Sequence, residues 1–210
     1  MPPVGRRGRL IVLEGGEAAG KSTQSRILAD RRGAVLTREP GGTALGERVR
    51  SVLLDRSSGE IAPRAELMLV LAARAEHVAE VILPALEAGR DVVCDRFEGS
   101  TLAYQGYGRG LPLEEVRAAC AVAAGGLEPD CTVLVEVDDR VAAARRDGEA
   151  DRIEAADGPF HERVRAGYRE LAVAGGWAVV DGDASVEVVA DRVAAAVEGV
   201  VGAGRPRGVP

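Results

Sequence analysis

Ile11-Val12-Leu13-Glu14 is an apolar run of the kind that forms a buried strand, and Ser22-Thr23-Gln24 opens a helical pattern. Between them Gly15-Gly16-Glu17-Ala18-Ala19-Gly20-Lys21-Ser22 fits the spacing G-x-x-x-x-G-K-[ST] of a phosphate-binding loop. This strand–glycine loop–helix unit constrains the fold more than any other feature, because it belongs to sheets whose parallel strands alternate with helices. The glycines let successive N–H groups converge on a β-phosphate. Lys21 then bridges β- and γ-oxygens, and the Ser22 hydroxyl is placed to ligate Mg²⁺. Of the 27 basic residues 26 are arginine, Lys21 is the one lysine, and asparagine is absent. A GC-rich gene explains that purge. It does not explain why the surviving lysine stands on this slot.

The rest of the chain repeats the alternation. Arg9–Glu14, Ala34–Thr37, Asp91–Cys94, Thr132–Val137 and Trp177–Val180 read as buried strands. Helical patterns fall at Lys21–Arg32, Leu45–Leu54, Arg64–Ala88, Thr101–Tyr104, Leu113–Ala124, Arg140–Arg146, Pro159–Ala174 and Val186–Val200. The fold class is therefore α/β, a five-stranded parallel sheet flanked by helices, in one domain spanning 1–210 with its core at about 9–200. Gln105-Gly106-Tyr107-Gly108-Arg109-Gly110 reads as a loop at the strand ends, the edge where such sheets bind ligands.

With 33 acidic residues against 27 basic, the net charge of −6 argues against the broad basic face of a nucleic-acid binder. Cys94, Cys120 and Cys131 are scattered and give neither a disulfide framework nor a zinc cluster, so they read as core thiols of a reducing cytoplasm. The head Met1–Gly8 leads into only four apolar residues, too few for a signal peptide. Leu67–Leu86 is interrupted by Arg74, Glu76, His77 and Glu80 and reads as a buried helix, not a membrane span. The tail Gly202–Pro210 has no apolar periodicity and reads as a frayed end.

Four clusters carry alternative readings. Asp95 follows an apolar strand, where its carboxylate would hold Mg²⁺ and Arg96 would neutralise a phosphoryl group; the pair is otherwise a surface turn. Thr37-Arg38-Glu39-Pro40-Gly41-Gly42-Thr43 is a tight turn in which a cis Pro40 would fix its neighbours and aim Arg38 at a second anion. Arg50, three residues after Glu47, is either a phosphate ligand or half of a helix-surface pair. Arg74 stands alone among apolar residues and either reads a base carbonyl, snorkels to water, or pairs with Glu66 or Glu80. His77 reads as structural, and His161 as lying on an exposed helix face. The charge-dense run Arg145–Glu154 is either a solvated loop or a lid that delivers arginines.

Taken together, the loop Glu14–Thr23, the run Thr37–Thr43, Asp95-Arg96-Phe97, Ser100–Gly106 and Asp151-Arg152-Ile153-Glu154 resemble the thymidylate kinase family. The resemblance spans roughly Leu10 to Val200. It implies a three-layer fold of the P-loop NTPase type with a short lid at about 143–156, and ATP-dependent phosphorylation of thymidine monophosphate in a cytoplasmic homodimer. It further implies that Gly15, Gly16, Glu17, Ala18, Ala19, Gly20, Lys21, Ser22 and Thr23 bind ATP, with Ser22 and Asp95 on Mg²⁺. Glu17 then contacts the acceptor sugar, Arg38, Arg50 and Arg96 its phosphate, Glu39 and Asp95 lie near the metal and the sugar, and Pro40 belongs to the same substrate site. Arg74, Thr101 and Gln105 read the thymine edge. Because Ala18 replaces a loop arginine found in some members, Arg145, Arg146 and Arg152 of the lid are expected to act on the phosphoryl group.

Three departures from the family pattern stand out. Val70 occupies the position of an aromatic ring that stacks on thymine, which removes about 0.5–1.5 kcal/mol of contact energy. Phe97 stands where Tyr or His is usual, and Asp147 where a lid arginine is expected. These leave open a kinase for a modified pyrimidine nucleotide, and a nucleotide-binding module that transfers nothing.

Overall fold

The computed structural model describes residues 7–146 and 149–202. The expectations for Met1–Arg6, for the tail beyond Gly202 and for Asp147 lie outside the described residues.

Five parallel strands, β1 (Leu10–Glu14), β2 (Val35–Arg38), β3 (Val92–Asp95), β4 (Cys131–Glu136) and β5 (Ala178–Asp181), lie in the order β2-β3-β1-β4-β5. Each predicted strand is present, with its ends shifted by at most one residue. The helices are α1 (Lys21–Arg32), α2 (Ala44–Leu54), α3 (Pro63–His77), α4 (Leu83–Glu87), α5 (Glu98–Thr101), α6 (Leu113–Ala123), α7 (Asp139–Arg145), α8 (Gly158–Gly175) and α9 (Val186–Gly202). The central strand β1 is buried along its whole length, which is why its sequence is a continuous apolar run and not an alternating one. Ile11 and Leu13 face a core with α1 and α9, while Leu10 and Val12 face the opposite core against Val78, Ile82 and Leu86.

Two elements differ from expectation. The single helix expected over Arg64–Ala88 is broken by a π-helical turn at Val78–Ile82, where Leu83 N–H donates to Val78 O. Pro84 has no N–H to continue the regular ladder, so the wider turn accommodates it. The glycine-rich stretch expected as a loop continues α5 instead as a buried π-helical run, Leu102–Gly108, between α6 and α8. Its glycines serve close packing: a Cβ at Gly106 would lie 2.5 Å from Leu113, and one at Gly108 2.6 Å from Phe160.

The register β1–β3 sets Leu13 beside Asp95, and β2–β3 sets Arg38 beside Asp95. Phosphate loop, Asp95-Arg96 and the turn after β2 therefore meet at one edge of the sheet.

Candidate active site

Strand β1 ends at Glu14 and α1 begins at Lys21, so six residues form the loop between them. Gly15 has φ 149°, and a Cβ there would stand 2.4 Å from Val135 O; only glycine fits. Gly20 caps α1 in the left-handed conformation, and no acidic residue occupies the first turn, so the helix N-terminus is left for an external anion. Lys21 Nζ donates to Gly16 O at 2.5 Å. Burial and the nearby Arg96 guanidinium depress the Lys21 ammonium to about 8 despite the carboxylates of Glu17 and Asp95.

Ser22 Oγ donates to Asp95 Oδ2 at 2.5 Å, and the other carboxylate oxygen, Oδ1, is buried without a hydrogen-bond partner. An orphaned carboxylate oxygen beside a hydroxyl at a phosphate site is the donor set a hard divalent cation takes, so the residues present fit Mg²⁺. These groups border a cavity of about 600 Å³ lined by the loop, Arg38, Arg50, Arg96, Arg145 and the start of α9.

Arg96 follows β3 with φ 73°, a left-handed conformation uncommon for a residue with a side chain. It is held there by many partners. Nη1 donates to Gly15 O at 3.0 Å, Ser100 Oγ at 3.1 Å and Tyr168 OH at 2.9 Å, and Nη2 donates to Glu17 Oε1 at 2.7 Å. Tyr104 OH also donates to Glu17, at 2.5 Å. Burial alone would raise the Glu17 carboxyl, but Arg96 and Lys21 hold it down to about 2. Behind this cluster Glu14 accepts from the N–H groups of Phe97 and Ser100 and from the Ser100 hydroxyl at 2.6 Å, and so caps α5 from inside the sheet. Burial nevertheless pushes the Glu14 carboxyl up.

A second cleft of about 100 Å³ adjoins the first, and Glu17, Glu39, Arg50 and Arg96 line both. Its far wall is Val70, Arg74, Thr101 and Gln105, with Pro40, Phe97, Leu53, Asp151 and Ile153 around them. Arg74 is 1% exposed. Nε donates to Glu39 Oε2 at 2.8 Å, Nη2 to Thr101 Oγ1 at 2.8 Å and Nη1 to Cys120 Sγ at 3.2 Å, while the guanidinium lies 4.8 Å over the Phe97 ring. Glu39 is thus the partner of Arg74, in place of Glu66 or Glu80. Its second oxygen meets His77 Nδ1 at 3.0 Å, and His77 Nε2 shares a hydrogen bond with Thr37 Oγ1 at 2.6 Å. His77 is structural, as expected from its setting. The Glu39–Pro40 peptide is cis.

The remaining expected residues are placed as follows. Arg50 donates to Pro40 O at 3.1 Å and makes no ion pair among the described residues, so it stands charged on the boundary of both cavities. Glu47, the partner considered for it, instead takes both its oxygens to Arg38, whose side chain is half exposed. Arg145 donates to Gly182 O and Ala184 O and lines the first cavity near α9. Arg146 lines a different recess, with His161 and Arg165. Arg152 donates to Leu53 O at 2.7 Å and to Glu66 Oε2 at 2.6 Å, beside the second cleft. The three arginines expected to act from a lid thus point to three different places, and of the three only Arg145 borders the cavity that holds Lys21.

Sequence reasoning missed the grip on Arg96 by Ser100, Tyr104 and Tyr168, and the apolar wall supplied by Leu53 and Ile153. Ser100 and Tyr104 belong to the run Ser100–Gly106, so their spacing from Arg96 was a usable signal. Tyr168 reaches the site from α8 and carried none.

The family model for thymidylate kinase matches residues 13–193. A thymidylate kinase of Desulfovibrio desulfuricans is 54% identical over 177 residues, covering 77% of this chain and 81% of that protein. One of Leifsonia xyli subsp. xyli is 46% identical over 209 residues, covering 95% and 99%. The crystal structure of thymidylate kinase from Ehrlichia chaffeensis superposes with a TM-score of 0.76 at 30% identity, covering 91% of this chain and 99% of that one. With the phosphate loop, the paired cavities and these similarities in agreement, the chain belongs to the thymidylate kinase family.

Proposed function

We propose that the protein transfers the γ-phosphoryl group of ATP to thymidine 5′-monophosphate, giving ADP and thymidine diphosphate. One observation carries the assignment: two cavities of unequal character meet at Glu17, Glu39, Arg50 and Arg96, with Lys21 on one side and Arg74, Thr101 and Gln105 on the other. A triphosphate on Gly15–Thr23 and a nucleoside monophosphate in the second cleft would bring donor and acceptor phosphates together at that boundary.

The roles follow from chemistry. The attacking phosphate oxygen is already anionic, so no general base is required and catalysis is positioning plus charge neutralisation. Lys21, released from Gly16 O, would bridge the β- and γ-phosphates. Arg50, which has no carboxylate partner among the described residues, and Arg96, pre-aimed by its hydrogen bonds, would clamp the acceptor phosphate, with Arg38 joining if it leaves Glu47. Ser22 and Asp95 would hold Mg²⁺, which neutralises charge on the phosphate oxygens. Glu17 and Glu39 would face the acceptor sugar, and Arg74 would donate to a base carbonyl.

A coupled ADP-release assay with ATP·Mg²⁺ tests this against dTMP, dUMP, dCMP, AMP and 5-substituted deoxyuridine monophosphates. The highest kcat/KM is expected for dTMP; a different preferred acceptor would overturn the assignment. Exposed Met68 on α3, with 58% of its surface open, supports a homodimer formed through the face of that helix. Sedimentation at micromolar concentration should give a dimer, and Met68→Asp a monomer. Use of ATP and three buried thiols support a cytoplasmic setting; among the described residues no helix is long and apolar enough to cross a membrane.

A further inference from the structure

Glu66 lies in the first turn of α3, fully buried, and its carboxylate gathers groups from elements far apart in sequence. Oε1 accepts from Gln105 Nε2 at 2.9 Å and from Arg109 Nε at 3.0 Å. Oε2 accepts from Arg109 Nη2 at 3.0 Å and from Arg152 Nη2 at 2.6 Å. Burial would raise this carboxyl, but hydrogen bonds from Arg109, Gln105 and Arg152 pull it below its ordinary value, so it is ionised at neutral pH.

An ionised carboxylate accepts hydrogen bonds and cannot donate one. A glutamine amide, by contrast, has a donor end and an acceptor end and can present either. Facing Glu66, the amide of Gln105 has to turn its NH₂ inward. Flipping it would set two oxygens against each other and leave the carboxylate short of a donor, a costly arrangement at a buried site. The amide oxygen Oε1 is the end left for a ligand, and Gln105 lines the second cleft. A nucleobase meeting that oxygen has to bring an N–H. Thymine and uracil carry one at ring position N3, whereas cytosine has a lone pair there.

We propose that Glu66 is a specificity-determining positioning residue: as an acceptor-only partner it fixes the Gln105 amide with its oxygen toward the acceptor cleft, selecting bases with a ring N–H over bases with a bare ring nitrogen. The proposal rests on the reading of the second cleft as the acceptor-nucleotide site. Arg109 and Arg152 belong to the same device. Their guanidiniums keep Glu66 ionised, and Arg109 is itself braced 4.5 Å over the Phe160 ring.

The test is the ratio of kcat/KM for dTMP to kcat/KM for dCMP, a quantity that general loss of folded enzyme does not move. Glu66→Gln gives position 66 a donor and frees the Gln105 amide to turn, so the ratio should fall at least about tenfold, with KM for ATP within about twofold of wild type. The exchanged double variant, Glu66→Gln with Gln105→Glu, restores an acceptor toward the cleft, since the amide moved to position 66 would donate to the carboxylate moved to position 105. Its ratio should return to within about threefold of wild type. If the single variant does not fold, a structure of the wild-type enzyme with dTMP decides: Gln105 within hydrogen-bond distance of base N3 while still paired with Glu66 supports the proposal, and a base N3 met by another group overturns it. An unchanged ratio in Glu66→Gln, with both nucleotides slowed alike, would also overturn it while leaving the acceptor-site reading intact. A wild-type enzyme that does not prefer dTMP to dCMP would bring down that reading and the proposal together.

Discussion

Lys21 and Glu17 are four residues apart on the loop, and the same surroundings move their protonation in the same direction, downward, with opposite consequences for charge. For Lys21, burial lowers the ammonium to about 8, so in the free enzyme its charge is lost as pH rises through that value. The rate parameter that reports the free enzyme, kcat/KM for ATP, should therefore fall above about pH 8, approaching tenfold per unit. A profile flat to about pH 9.5 would show that the charge is not needed for binding or transfer. Lys21→Ala should lower kcat by about a thousandfold or more in the same assay without loss of the folded state. For Glu17, the folded carboxyl titrates at about 2 against an ordinary 4.5, so its stabilising contribution is complete above about pH 4.5 and is lost as pH falls toward 2. The full difference corresponds to about 3 kcal/mol. Glu17→Gln should remove most of it at neutral pH, and the denaturation free energy of the variant should depend less on pH between 4.5 and 2 than that of wild type.

Among the elements, the π-helical run Leu102–Gly108 helps to shape the second cleft, because it presents Gln105 to the cleft and to Glu66 together, and Tyr104 to Glu17. Gly108 lets this run press against Phe160 of α8, and a Cβ there would sit 2.6 Å from that ring. Gly108→Ala should cost about 1–3 kcal/mol by overpacking, read as a lower chemical-denaturation midpoint; an unchanged midpoint would mean that α8 gives way freely. This is also the element that the sequence disguised. Gly106, Gly108 and Gly110 have the look of a loop, since glycine spacing does not reveal whether a chain is turning or being packed against. The phosphate loop was legible for the opposite reason: Gly20 and Lys21 meet local requirements of backbone and charge that do not wait on tertiary packing. Likewise all five strands were readable from their apolar runs, whereas the break at Val78–Ile82 depends on how Pro84 is accommodated within an otherwise regular helix.

At the scale of the whole molecule, the parallel sheet brings residues from five parts of the chain to one edge: the loop after β1, the turn after β2, Asp95-Arg96 at the end of β3, and α3 and the π-helical run behind them. The sequence named most of the side chains on this edge but not their pairings. Arg38 with Glu47, Arg74 with Glu39 and Arg152 with Glu66 are choices that only packing decides. The pairings show that these arginines are held by the protein's own carboxylates and carbonyls, Arg50 and Arg145 by backbone carbonyls alone. On the function proposed above, this edge moves a phosphoryl group between two bound nucleotides. The most direct measurement follows the label from γ-³²P-ATP in the presence and absence of dTMP. Label is expected in thymidine diphosphate in step with ADP, and only when dTMP is present; label released as inorganic phosphate at the same rate with or without dTMP would rule out transfer between the two nucleotides.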